Sequence, residues 1–124
     1  MILGVGIDLV DVERVRRSIE RWGDRWTHRI FTEAEIKYCE YVRDPAPGYA
    51  ARFAAKEAFF KALPEQPKAF LMIYVEVINS EGKPAIRVHE SVKDVLASLE
   101  PCKFHVSLTH EKNMAAAVVI IEKE

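Results

Sequence analysis

A chain of 124 residues is the size of one domain, able to bury a core without disulfides or a structural metal. Its hydrophobic fraction of 49% and charged fraction of 30% are ordinary for a soluble globular protein. A formal net charge of −1 gives no global reason to expect nucleic acid or a membrane surface as partner.

Cys39 and Cys102 belong to no CxxC or Cys/His cluster, which argues against a zinc site and a secreted disulfide framework and points to a reducing compartment. The opening "MILGVGIDLV" is apolar but lacks a basic leader and carries Asp8, so it is a poor signal peptide. The longest apolar run, residues 114–121, is far too short to span a bilayer. These features together read as a cytoplasmic, soluble chain.

Residues 2–10 alternate Leu3, Val5, Ile7 and Leu9 against Gly4, Gly6 and Asp8, the period of a strand. Asp11 can cap a helix that runs to about Trp22 or beyond, with Val12, Val15, Ile19, Trp22 and Trp26 on its apolar side. "TEAE" at Thr32 is a capping box with Glu35 three residues after the cap, and the prolines of "RDPAPG" end that second helix. A third helix covers residues 49–63 and stops at Pro64.

Beyond it, residues 71–78 alternate as a strand, and "NSEGKP" turns the chain into a second strand at 85–88. Residues 91–99 fit a short helix with Val92, Val95, Leu96 and Leu99 inward. Residues 104–108 and 114–121 form a last hairpin around "THEKN". The order βαααββαββ predicts a single α+β domain with a mainly antiparallel sheet packed with helices.

The third helix, "YAARFAAKEAFFKALP", carries a carboxylate, Glu57, on the side it shares with Phe53 and Phe60. Ala50, Ala54 and Ala58 give that helix a shallow ridge, and Gly4 and Gly6 allow close backbone approach from the strand. If ridge meets glycines, Glu57 is brought towards Asp8. Two such carboxylates repel unless protonated or bridged by a cation. Hard oxygen ligands with no His or Cys nearby favour Mg²⁺. Taken singly, Asp8 also reads as a helix-entry residue, and Glu57 as an ordinary i, i+4 partner of Lys61. Both readings stand at this point.

Arg52 and Lys56 share a helix face, with Lys61 beside Glu57, an arrangement suited either to phosphate or to a solvated surface. Arg14, Arg17 and Arg21 line one side of the first helix and Arg25 extends it, which suits an acidic partner, although Glu13 and Glu20 dilute the charge. Ser107 and His110 lack a Gly-x-Ser-x-Gly elbow and a third member, which argues against nucleophilic catalysis. His110 either meets a ligand phosphate or stabilises the turn.

Three stretches, "GVGIDLVDVERV", "RFAAKEAFFKAL" and "HVSLTHEKNMAAAVVII", together resemble bacterial holo-[acyl-carrier-protein] synthases, the short 4′-phosphopantetheinyl transferases. The resemblance covers essentially the whole chain, and its paired motifs Gly-Ile-Asp and Phe-x-x-Lys-Glu-Ala-x-x-Lys are specific. It implies the 4′-phosphopantetheinyl transferase fold and a Mg²⁺-dependent transfer of 4′-phosphopantetheine from coenzyme A to a serine of apo-acyl carrier protein. Adenosine 3′,5′-bisphosphate would be released, and the reaction would belong to fatty acid biosynthesis.

By the same resemblance Asp8 and Glu57 match metal-binding acids. Arg52, Lys56 and Lys61 match positions lining the coenzyme A phosphates, and His110 the histidine that reaches the nucleotide. Arg14, Arg21, Arg25 and Trp26 fall where the family receives the carrier protein. The family is typically a homotrimer with each active site between two subunits. One departure is clear: the family's glycine-rich turn is replaced by "PEQPKAF", where Lys68 is a candidate substitute cation. That departure motivates a second reading, a non-catalytic carrier-binding relative. A third, an RNA-binding module, is disfavoured by the charge and by the lack of an aromatic-rich basic strand face.

Overall fold

The computed structural model describes residues 1–66 and 72–124. Strand β1 (Ile2–Asp11) leads into helices α1 (Val12–Trp22), α2 (Asp24–Ile30), α3 (Glu33–Glu40) and α4 (Ala46–Ala62). A 3₁₀ turn (Met72–Tyr74), the hairpin β2 (Val75–Ser80) and β3 (Lys83–Val88), and a 3₁₀ helix (Glu90–Leu99) follow. The chain closes with β4 (Cys102–His110) and β5 (Met114–Lys123).

The predicted first helix is two. Gly23, at φ 53°, takes a conformation that other residues rarely adopt, and its N–H donates to the Ile19 carbonyl at 2.8 Å, closing α1 before α2 starts. Asp11 caps α1 through Glu13 N–H at 3.0 Å, and Thr32 with Glu35 forms the complete capping box of α3. Helix α4 begins earlier than expected because Pro47 lies in its first turn, where a missing N–H costs nothing. Leu63 turns to extended backbone ahead of Pro64 and ends it.

All strand pairs among the described residues are antiparallel, in two sheets: β1-β5-β4 and β2-β3. Glu81 and Gly82, both at positive φ, make the two-residue turn of the second sheet. Helix α4 lies across the larger sheet and is buried along most of its length. The contact is tight because β1 presents glycines: a Cβ on Gly6 would stand 1.9 Å from the Ala58 carbonyl oxygen, and one on Gly4 1.7 Å from that of Ala62. The core flanks α4 in two clusters, one around Phe59, Val75, Leu96 and Val119, the other around Val12, Phe31 and Tyr49.

Over Met72–Tyr74 the expected strand is instead the 3₁₀ turn, and pairing begins at Val75; two side chains also face differently from expectation. A bulge between Ile2 and Gly4 turns Leu3 out of step with Val5 and Ile7 and packs it against the core. Val95 points outward, while Val92 and Leu96 are buried as predicted. The opposite face of the large sheet carries Val5, Ile7 and Leu9 at 59%, 68% and 66% exposure, with Val118 and Ile120 beside them on β5.

Candidate active site

The glycine contact decides where the acids go. Asp8 follows Gly6 on the same side of β1, and Glu57 precedes Ala58 on α4, so the backbones that touch carry both carboxylates into one cavity of about 320 Å³. Arg14, Ser18, Trp26 and Phe53 share its lining. Lys61 donates to Asp8 Oδ1 at 2.9 Å and to the Ile7 carbonyl at 3.1 Å, so its partner is Asp8 and not Glu57. Glu57 makes no hydrogen bond or ion pair among the described residues; burial, then the nearby charge of Asp8, push its carboxyl above the ordinary range, against the pull of Lys61.

That pair of acids fits a hard divalent cation. A cation shared between them would offset both the burial and the Asp8 charge that lift Glu57. Among the described residues no group of three or more His, Cys, Asp or Glu gathers, so the protein would offer two carboxylates and leave the remaining positions to phosphate oxygens and water. Mg²⁺ is commonly held in that way. The Lys61–Asp8 pair is half-exposed on the lysine side, and such a pair is worth only about 0.2–1 kcal/mol.

Arg52 and His110 meet elsewhere. They line a cavity of about 820 Å³ with Tyr38, Gly48, Asn79 and Pro84, which shares no residue with the first. The reason is helical geometry: Arg52 and Glu57, five residues apart, point about 140° away from each other around α4.

Lys56 corrects the sequence expectation. Its side chain is fully buried, and its Nζ lies 2.6 Å from Glu35 Oε1, 2.7 Å from the Ile30 carbonyl and 3.0 Å from the Met72 carbonyl. It braces α4 against α2, α3 and the strand entry and lines neither cavity. Glu35 explains the burial of Lys56: the capping carboxylate also accepts from Val77 N–H at 2.8 Å, so it sits inside the protein and requires a cation.

On the arginine side, Arg14 reaches the acidic cavity, while Arg21 and Arg25 flank the half-exposed Trp22 ring at 4.9 and 5.8 Å. Trp26 is partly buried, edge-on to Phe31 at 5.7 Å, and serves as a cavity wall. Trp22, an apolar position of the predicted first helix, is the last residue of α1 and lies between two arginines. Of "PEQPKAF", Pro64, Glu65 and Gln66 are described, and Gln66 ties back to the Phe60 carbonyl at 2.6 Å; Lys68 lies outside the described residues.

A profile of the 4′-phosphopantetheinyl transferase superfamily matches residues 4–119. A holo-[acyl-carrier-protein] synthase of Methylorubrum populi is 43% identical, over 98% of this chain and 94% of its own. Among solved structures, the holo-[acyl-carrier-protein] synthase of Neisseria meningitidis superposes with a TM-score of 0.89 at 28% identity, over 99% of this chain and 100% of its own. That of Bacillus anthracis, in complex with CoA (3′,5′-ADP), gives 0.81 at 29% identity, over 100% and 99%.

Proposed function

The chain belongs to the 4′-phosphopantetheinyl transferase superfamily, as a relative of the holo-[acyl-carrier-protein] synthases, and from that premise we propose the reaction its own residues support. It transfers 4′-phosphopantetheine from coenzyme A to a serine hydroxyl of an apo-acyl carrier protein and releases adenosine 3′,5′-bisphosphate. The observation that carries this reading is the cavity in which Asp8 and Glu57 meet beside Lys61 and Arg14.

Asp8 and Glu57 would hold Mg²⁺, which when bound neutralises charge on the pyrophosphate. Lys61 leaves Asp8 for a pyrophosphate oxygen and stabilises the departing phosphate as its negative charge grows. The serine oxygen forms a bond to the phosphorus that bears pantetheine and gives up its proton to water, while the bond from that phosphorus to the bridging oxygen breaks and its electron pair leaves with adenosine 3′,5′-bisphosphate. Arg14 stands at the same cavity, and with Arg21, Arg25 and the wall formed by Trp26 it orients an acidic carrier so that the serine enters there.

Arg52 and His110 hold the phosphate and nucleotide end of coenzyme A in the larger cavity. One chain presents these groups on different sides of α4, so a complete site draws Asp8, Glu57 and Lys61 from one subunit and Arg52 and His110 from a neighbour. The bare apolar face of Val5, Ile7 and Leu9 supports a homotrimer that buries it. Among the described residues no helix is long and apolar enough to cross a membrane, and we assign the reaction to the cytoplasm and to the supply of carrier protein for fatty acid biosynthesis.

The test is the intact mass of an apo-acyl carrier protein incubated with the enzyme, coenzyme A and Mg²⁺. Addition of one 4′-phosphopantetheine that disappears with chelator is the expected result. A carrier of unchanged mass at every enzyme concentration would leave a carrier-binding protein without transfer.

A further inference from the structure

Arg52 is nearly fully buried, yet its Nε has no hydrogen-bond partner and no carboxylate pairs with the side chain among the described residues. Burying a guanidinium in that state is costly unless something else offsets its charge. What lies against it is an aromatic face: the Arg52 guanidinium carbon stands 4.1 Å from the ring centroid of Tyr38. A cation–π contact stabilises the charge without using any N–H. Asp44, the one carboxylate among the described residues lining this cavity, is taken by Arg16 at 2.6 Å.

We propose that Tyr38 is a positioning residue: its ring holds the buried Arg52 fork in place with its donors free for a phosphate group of coenzyme A. The inference rests on the proposed function for its ligand and adds the device that keeps the arginine ready. A carboxylate in Tyr38's place would occupy the fork and repel an anion. A ring does neither. Tyr38 is itself half-exposed on α3, so the fold draws little from its burial and the contact serves the arginine. The phosphate is either the ribose monoester or the pyrophosphate, and the two can be separated experimentally.

The experiment measures binding of coenzyme A and of 3′-dephospho-coenzyme A by calorimetry, with steady-state kinetics alongside, for wild type, Tyr38→Leu, Tyr38→Phe, Arg52→Ala and Tyr38→Leu/Arg52→Ala. Tyr38→Leu is expected to weaken coenzyme A binding and raise its KM about three- to tenfold, with kcat and the carrier KM unchanged. Tyr38→Phe keeps the ring and binds within about twofold of wild type. Once Arg52 is alanine, the leucine substitution adds nothing. An effect confined to coenzyme A assigns the monoester; an equal effect on both ligands assigns the pyrophosphate.

Unchanged binding in Tyr38→Leu, or the same loss with Arg52 already removed, overturns the proposal. Wild type that binds coenzyme A but transfers nothing overturns the transfer reading alone. Wild type that binds neither ligand overturns both.

Discussion

Within ten residues of α4, four charged side chains meet four different ends. Arg52 lies over a tyrosine, Lys56 is sealed inside, Glu57 faces Asp8 with no donor among the described residues, and Lys61 reaches across to β1. The meeting of Glu57 and Asp8 was legible because residue size dictates it: only glycine opposite alanine lets the backbones come close enough. Lys56 was not legible, since its i, i+4 spacing from Arg52 is equally that of a solvated face. What distinguishes it is tertiary: Ala54, Ala55 and Ala58 are also buried, so α4 has almost no solvated face to offer. Substitution of Asp8 or Glu57 by alanine is expected to abolish Mg²⁺-dependent transfer while the thermal melt stays cooperative; near-normal activity in either would disprove the metal assignment. Lys56→Met should instead destabilise the fold by about 3–5 kcal/mol in chemical denaturation, because Glu35 is left charged and unpaired.

Between elements, the spacing of β1 and α4 governs everything near the acids. A methyl group at Gly6 would meet the Ala58 carbonyl, a backbone atom that cannot yield, so Gly6→Ala is expected to cost about 3 kcal/mol or more by denaturant titration and to separate Asp8 from Glu57. The caps at Asp11 and Thr32 and the turn at Glu81–Gly82 were legible from local chemistry. The break at Gly23 was masked by an apolar spacing that continues from Ile19 through Trp22 to Trp26 on either side of it.

A second tie joins α3 to the smaller sheet. Burial raises the Glu76 carboxyl, but hydrogen bonds from Thr32 and Arg87 outweigh it and hold the group below its ordinary 4.5. A depressed folded-state pKa contributes stability above the unfolded value that is lost as pH falls through the folded one. Thermal melts should therefore show wild type losing stability below pH 4.5, with Glu76→Gln less stable at pH 7 and losing less on acidification. Parallel curves for the two proteins would contradict this.

At the scale of the whole molecule, the alternating apolar residues of β1 announced a strand with one side to cover, and α4 covers the glycine side instead. The apolar side faces out, which sequence alternation alone could not say, because either side of a strand can be the buried one. Ile7→Lys is expected to shift the protein to monomer in sedimentation equilibrium, and a trimer that survives the charge would place the interface elsewhere. In the proposed oligomer the acid cavity of one chain and the arginine cavity of another make one active centre. Subunit mixing tests it most directly. Asp8→Ala and Arg52→Glu chains, carrying different tags, are co-expressed, purified through both tags and assayed for carrier modification. Each variant alone is expected to be inactive and the mixed oligomer active, because some of its sites pair an intact Asp8 with an intact Arg52. A mixed oligomer as inactive as its parents, beside an active wild type, would disprove a centre shared between subunits.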